Sequence, residues 1–111
     1  MENKIVLKLV FFVPESHKES VKQAVFEQGA GRYEGYDCCS WETKGVGQFK
    51  PLSGSQPFIG QQDEIETIEE YRVEMICSEQ NIKAVLVALI QAHPYETPAY
   101  NVQSIKTLDD F

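Results

Sequence analysis

The stretch Ala92-His93-Pro94-Tyr95-Glu96-Thr97-Pro98-Ala99-Tyr100 closes one kind of secondary structure and opens another. Upstream of it, Ile82, Val85, Leu86, Leu89 and Ile90 form an apolar stripe at helical spacing, widened by Ala84, Val87 and Ala88. Pro94 ends that helix, because the residue before a proline is pushed out of helical geometry. Downstream, Ala99 to Leu108 reads as a final strand, more polar than the rest. A histidine, a carboxylate and two phenols therefore crowd one element junction. That density suits a binding site, and it suits a well-tied helix-to-strand turn equally.

Working outward, Ile65 to Cys77 alternates Tyr71, Val73, Met75 and Cys77 against Arg72, Glu74 and Ile76, a strand with one core face. Ser78 is placed to cap the second helix. At the other end of the chain, Lys4 to Val13 is apolar at every odd position and at most even ones, the pattern of an interior strand, and Pro14 ends it. Ser16 and Glu19 fit a capping box for a first helix with Val21, Ala24, Val25 and Gln28 on one stripe, stopped at Gly29. Between these units the chain is rich in glycine and aromatics. Tyr36 to Thr43 alternates like a strand, and Lys44-Gly45 is suited to turn it into an extra hairpin with Val46 to Pro51. Leu52 to Asp63 is a loop in which Phe58 and Ile59 need something to pack against.

The order strand, helix, strands, helix, strand is the split βαβ arrangement of an α+β, ferredoxin-like βαββαβ sandwich, with the extra β-hairpin in its middle segment. Right-handed crossovers put both helices on one sheet face. The opposite face then calls for a covering surface, and symmetric homo-oligomerisation supplies one.

A chain of 111 residues is close to the commonest domain size, so residues 1–111 are expected to form one domain around one core. Its 42% apolar and 24% charged residues are those of a folded protein. A net charge of −7 argues against nucleic acid and anionic lipid as partners. The apolar run Ile5 to Val13 is too short, and too interrupted by lysine, to be a signal peptide or a membrane span. Three cysteines, two of them adjacent, do not make a disulfide framework, which points to a cytoplasmic chain with reduced thiols.

Imidazole and carboxylate at His93 and Glu96 can hold a divalent metal ion, with Cys38, Cys39 or Cys77 as softer ligands. Neither a His-x-x-x-His nor a Cys-x-x-Cys spacing supports a preformed site. The alternative at His93 is structural, a ring near a helix C-terminus that bonds its carbonyls and complements its dipole. Gly29-Ala30-Gly31 follows a helix rather than preceding one, so it does not present a phosphate loop. On a strand, Cys38 and Cys39 would point to opposite faces. Trp41, Tyr33, Tyr36, Phe49 and Phe58 lack a basic companion stripe and read as packing or interface anchors. No nucleophile elbow or cofactor motif accompanies them, so catalysis is not expected, and the Glu64 to Glu70 run reads as a solvated strand face.

Several segments together resemble a known family. They are Val13-Pro14, Ala24 to Gly31, Tyr36 to Trp41, Gly45 to Pro51, Pro57 to Gly60 and Ala92 to Tyr100. In that order they are similar to the inserted middle domain of Nif-three-like (YqfO-type) proteins. The resemblance implies a fold similar to the CutA and PII proteins, which are ferredoxin-like trimers. In longer members the domain interrupts a two-metal centre whose ligands have no counterpart in these residues, so neither that centre nor a hydrolase activity is expected. The function expected is a non-enzymatic, homo-oligomeric, trimeric module that senses a small ligand or docks a protein partner between protomers, with no required cofactor. The competing expectation is a divalent-metal protein using His93, Glu96 and a cysteine. His93, Tyr95, Glu96, Tyr100, Tyr36, Cys38 and Phe49 are the residues expected to line a ligand site.

Overall fold

The computed structural model describes residues 5–111; Lys4, expected at the start of the first strand, lies outside the described residues. The elements run β1 (Val6–Pro14), α1 (Glu15–Glu27), β2 (Trp41–Phe49), β3 (Glu66–Ser78), α2 (Ile82–Ala92) and β4 (Tyr100–Ser104), followed by a short 3-10 turn, Leu108–Asp110. The sheet order is β2-β3-β1-β4, with every neighbouring pair antiparallel. This is the ferredoxin-like α+β sandwich that the order of elements called for.

The period-two pattern of β1 sends Leu9, Phe11 and Val13 to the helical side, opposite Met75, Val73 and Tyr71 of β3. Val21 and Val25 of α1 and Val85 and Leu89 of α2 close over them, and all four are fully buried. At roughly 1.5–3 kcal/mol for each large apolar side chain withdrawn from water, this cluster is the main source of stability. An ion-pair clamp adds order at the margin. Glu42 of β2 accepts from Lys18 and Lys22 of α1, and these ammonium groups hold its carboxyl below the usual carboxylate range.

The opposite sheet face carries no second layer among the described residues. Lys8, Glu74 and Arg72 pair across it above the buried Val10, with Trp41 at its margin 61% exposed. The radius of gyration, 15.6 Å, exceeds the ~13 Å expected of a compact chain this long. The reason is a two-stranded ribbon. β1 makes its last pair with β3 at Pro14 and Glu70, whereas β2 and β3 continue pairing from Val46 opposite Glu69 to Phe49 opposite Glu66.

Four local expectations are corrected. The extra hairpin does not turn at Lys44-Gly45: β2 runs straight through, with Gly45 opposite Glu70. Gly45 lacks the positive φ that a two-residue turn requires, and a ladder from Trp41 to Phe49 against β3 outweighs one tight turn. The reversal occurs instead in the loop at 50–65, where Gly54 (φ 90°) and Gly60 (φ 99°) take left-handed conformations. Cys38 and Cys39 are not on a strand. Cys38 has φ 57° and donates its amide to Asp37 Oδ1, so the two thiols are placed by a loop rather than by a pleat.

The capping serines are also displaced. α1 starts directly after the extended Pro14, and Ser16 Oγ bonds His17 Nδ1 instead of a helix amide. Ser78 remains in the β1–β3 ladder opposite Val6, and α2 starts four residues later, at Ile82. β4 is shorter than expected, because the chain leaves the sheet after Ser104.

The end of α1 follows the glycine expectation. Gly29 (φ 102°) closes the helix as its amide bonds Phe26 O. Gly31 (φ 77°) then passes so close to Cys39 O and the Phe26 ring that an added Cβ would sit 2.8 Å from each. Its amide bonds Ile76 O at 2.7 Å, which ties the loop to the sheet. Gly31→Ala therefore combines a strained φ with a backbone clash, and a loss of about 1–3 kcal/mol is expected in urea unfolding.

Candidate functional site

The opening junction is built on His93. α2 ends at Ala92, and His93 turns extended (φ −73°, ψ 137°) ahead of Pro94. Its side chain, 6% exposed, swings under the sheet end, where Nε2–H donates to Phe12 O at 2.6 Å. Nδ1 accepts the amide of Tyr95 at 3.1 Å. One nitrogen must donate and the other accept, so the ring is the neutral Nε2–H tautomer. Burial pushes its pKa down, opposed by the bond to Phe12 and assisted by His17. The expectation of a cation at the α2 dipole is thereby corrected: the ring is neutral, and its carbonyl partner belongs to β1.

Holding the Tyr95 amide aims Tyr95. Its ring lies 4.7 Å from the imidazole, and its hydroxyl donates to Glu70 Oε2 at 3.3 Å. Burial and the adjacent carboxylate push the phenol up to about 12, and burial raises the Glu70 carboxyl above the usual carboxylate range. Glu70 leans over Gly47 of the neighbouring strand, where an added Cβ would fall on the carboxylate. Phe49 and Phe58 flank the phenol at 6.5 and 6.2 Å, and Phe58 also meets the edge of His17 at 5.5 Å. The loop at 50–65 is fastened by Gln56, whose amide donates to both Glu96 oxygens at 3.2 and 3.3 Å. Together these groups enclose a cleft of about 250 Å³ at the mouth of the ribbon.

Of the residues expected at a site, Phe49, Tyr95 and Glu96 line this cleft, and His93 supports Tyr95 from behind. Tyr36 and Cys38 lie beyond the other end of β2, which at ~3.3 Å per residue is roughly 26 Å long. Tyr36 is 74% exposed there. Tyr100 sits in β4 opposite Phe11 and is not part of the cleft lining. Among the described residues no group of three or more His, Cys, Asp or Glu side chains is placed to hold a metal ion. Both His93 nitrogens are already committed to backbone partners. Glu70 is the residue that pattern reading missed, because its run of glutamates resembles a solvated face. The available signal was Gly47 inside a strand, which marks close approach by another group.

No family model matches the chain. It is 44% identical over 95 residues to a GTP cyclohydrolase 1 type 2 homolog of Halalkalibacterium halodurans, and 39% identical over 99 residues to that of Bacillus subtilis. A Bacillus cereus protein related to NIF3 superposes over 96% of the chain with a TM-score of 0.82 at 33% identity. The chain is similar, over nearly its whole length, to one segment of the Nif-three-like proteins. It spans about a quarter of their length: 26% of either curated relative and 27% of the Bacillus cereus protein. CutA1 of Ehrlichia chaffeensis, a divalent ion tolerance protein, superposes over 98% of this chain and 89% of its own, with a TM-score of 0.70. At 14% identity that likeness concerns the fold alone. No helix among the described residues is long and apolar enough to cross a membrane.

The buried His93 and the half-buried Glu70 carry shifts that oppose each other in sign. His93 has a lowered folded pKa, so its contribution is present above the ordinary value of 6.5 and is lost as pH falls through the lowered one. His93→Gln should cost roughly 1–3 kcal/mol at neutral pH through lost buried hydrogen bonds. It should also abolish that acid-side fall, as urea titrations of both proteins from neutral to mildly acid pH will read. Glu70 has a raised folded pKa, so its contribution is present below the ordinary 4.5 and is lost as pH rises through the raised value. Glu70→Gln is expected to stabilise the chain at neutral pH, and the gain should vanish in acid.

Proposed function

We propose that the chain is a non-enzymatic, homo-oligomeric CutA/PII-like module that binds a small ligand in the cleft under Tyr95. The observation that carries the reading is the cleft itself: an apolar, aromatic-walled recess with convergent polar groups from β3 and the junction after α2. Recesses of that composition are the usual form of ligand sites. The polar groups at its floor favour binding over proton transfer, since both His93 nitrogens are spent on backbone partners and His17, behind Phe58, bonds Ser16. A cytoplasmic setting accords with the three free cysteines.

Oligomerisation is supported by the sheet. β2 is an edge strand of nine residues whose outer row of amides and carbonyls has no partner strand among the described residues, and it carries the exposed Trp41 and Val46. Long exposed edges of this kind invite pairing. The sheet face with no second layer among the described residues and the projecting ribbon add surface for a neighbour. A trimer is the assembly proposed.

Sedimentation velocity at micromolar concentration should give three times the chain mass, and Trp41→Lys combined with Val46→Glu should shift it toward the monomer. A monomer for the unaltered chain would remove the oligomer from the reading. For the cleft, a library of small amines, carboxylates and neutral heteroaromatics should contain members that move the ring resonances of Phe49, Phe58 and Tyr95. If none moves them, the ligand role is lost.

A further inference from the structure

The cleft has a chemical bias that the proposed reading does not specify. Four aromatic rings line it, Phe12, Phe49, Phe58 and Tyr95, together with the carboxylates of Glu70 and Glu96. Among the described residues no lysine, arginine or histidine belongs to the lining. The nearest guanidinium, Arg72, lies 5.8 Å from the Phe12 ring on the sheet face and is paired with Glu74 at 3.5 Å. An anionic ligand would therefore meet two carboxylates and no basic side chain in that lining.

Glu70 is the more telling of the two. It is only partly exposed, and the side-chain partner it has is the Tyr95 hydroxyl on Oε2. A carboxylate offers about four acceptor positions, so most of its capacity is unspent at the cleft floor. Burial at this point is unfavourable for its charge, as the raised pKa records. Gly47 opens the space that lets it lie there, and a side chain at that position would exclude it. Ring faces carry negative potential, and they attract ammonium and guanidinium groups that are also held by a carboxylate. The net charge of −7 adds a long-range field of the same preference.

We infer that this cleft selects an organic cation, a primary ammonium or guanidinium group on a short apolar chain, with Glu70 as its counter-ion and Phe49, Phe58 and Tyr95 as its walls. The inference rests on the reading of the cleft as a ligand site and narrows it to one charge class. The apolar chain of the ligand fills the aromatic part of the recess, and the charged end replaces the water that Glu70 would otherwise hold.

The test uses the full chain with labelled aromatic rings, titrated separately with n-butylammonium chloride, n-butylguanidinium chloride, sodium butyrate and n-butanol. Both cations should move the Phe49, Phe58 and Tyr95 resonances saturably, and butyrate should not. Glu70→Gln, an isosteric change whose folding is checked from its amide spectrum, should raise the apparent Kd for the cations by about tenfold, the factor given by ~1.4 kcal/mol. Butyrate or butanol moving the rings as far as the cations would overturn the inference while leaving the cleft a ligand site. An unchanged Kd in Glu70→Gln would overturn it as well. Ring shifts that follow protein concentration instead of the added cation, as a side chain from a second copy would produce, also count against it. If none of the four compounds moves the rings, the inference and the ligand reading fall together.

Discussion

The hydrogen bond from His93 Nε2–H to Phe12 O is the contact on which the cleft end of the molecule depends. It joins the C-terminal end of α2 to the last residues of β1, two elements separated by most of the sequence. Because the bond requires a donor at Nε2, it leaves Nδ1 as an acceptor, and Nδ1 in turn captures the Tyr95 amide. One imidazole thereby fixes where a phenol points. The phenol fixes where Glu70 can find a donor, and Phe49 and Phe58 pack around the result. A protonated ring would break this chain at its second link, so the neutral state imposed by burial is part of the architecture.

The site also shows how one strand serves two ends of the fold. β3 supplies Val73, Met75 and Cys77 to the core from one face, and further back toward the ribbon its other face carries Glu70 into the cleft. The transition falls where β1 stops: beyond Pro14 the β2–β3 ribbon has no central strand beside it. A two-stranded ribbon alone is only marginally stable in water. Here its base is covered by the loop at 50–65 and by the junction after α2, which meet through the Gln56–Glu96 bond. The cleft is the gap those coverings leave. This explains its composition, with apolar rings from the coverings and a carboxylate from the ribbon.

The legible parts of the molecule were those with a repeating signal. The odd positions of β1, the apolar stripe of α2, the stop at Gly29 and the break at Pro94 each follow from local geometry, and each stands where the pattern put it. Of the residues expected to line a ligand site, Phe49, Tyr95 and Glu96 share one cleft. Lys44-Gly45 misled for an instructive reason. A glycine preceded by a polar residue is a turn signal only when no long partner strand is available, and β3 offers one along the whole length of β2. The same competition moved the start of each helix. Proline geometry at Pro14 and ladder pairing at Ser78 decided where the helices begin, ahead of any serine cap.

What the sequence determined by itself is the ferredoxin-like order of elements, the core faces and the likeness to a Nif-three-like segment. Periodicity and proline or glycine chemistry act over a few residues and need no distant partner. Tertiary structure decided everything that depends on meeting across the chain. It gave His93 the Phe12 carbonyl and therefore a tautomer, and it brought Glu70 over Gly47 and under Tyr95. It also left Tyr36 and Cys38 at the far end of β2. Such contacts join residues tens of positions apart, and the energy that selects them is the packing of whole elements, which no local window contains.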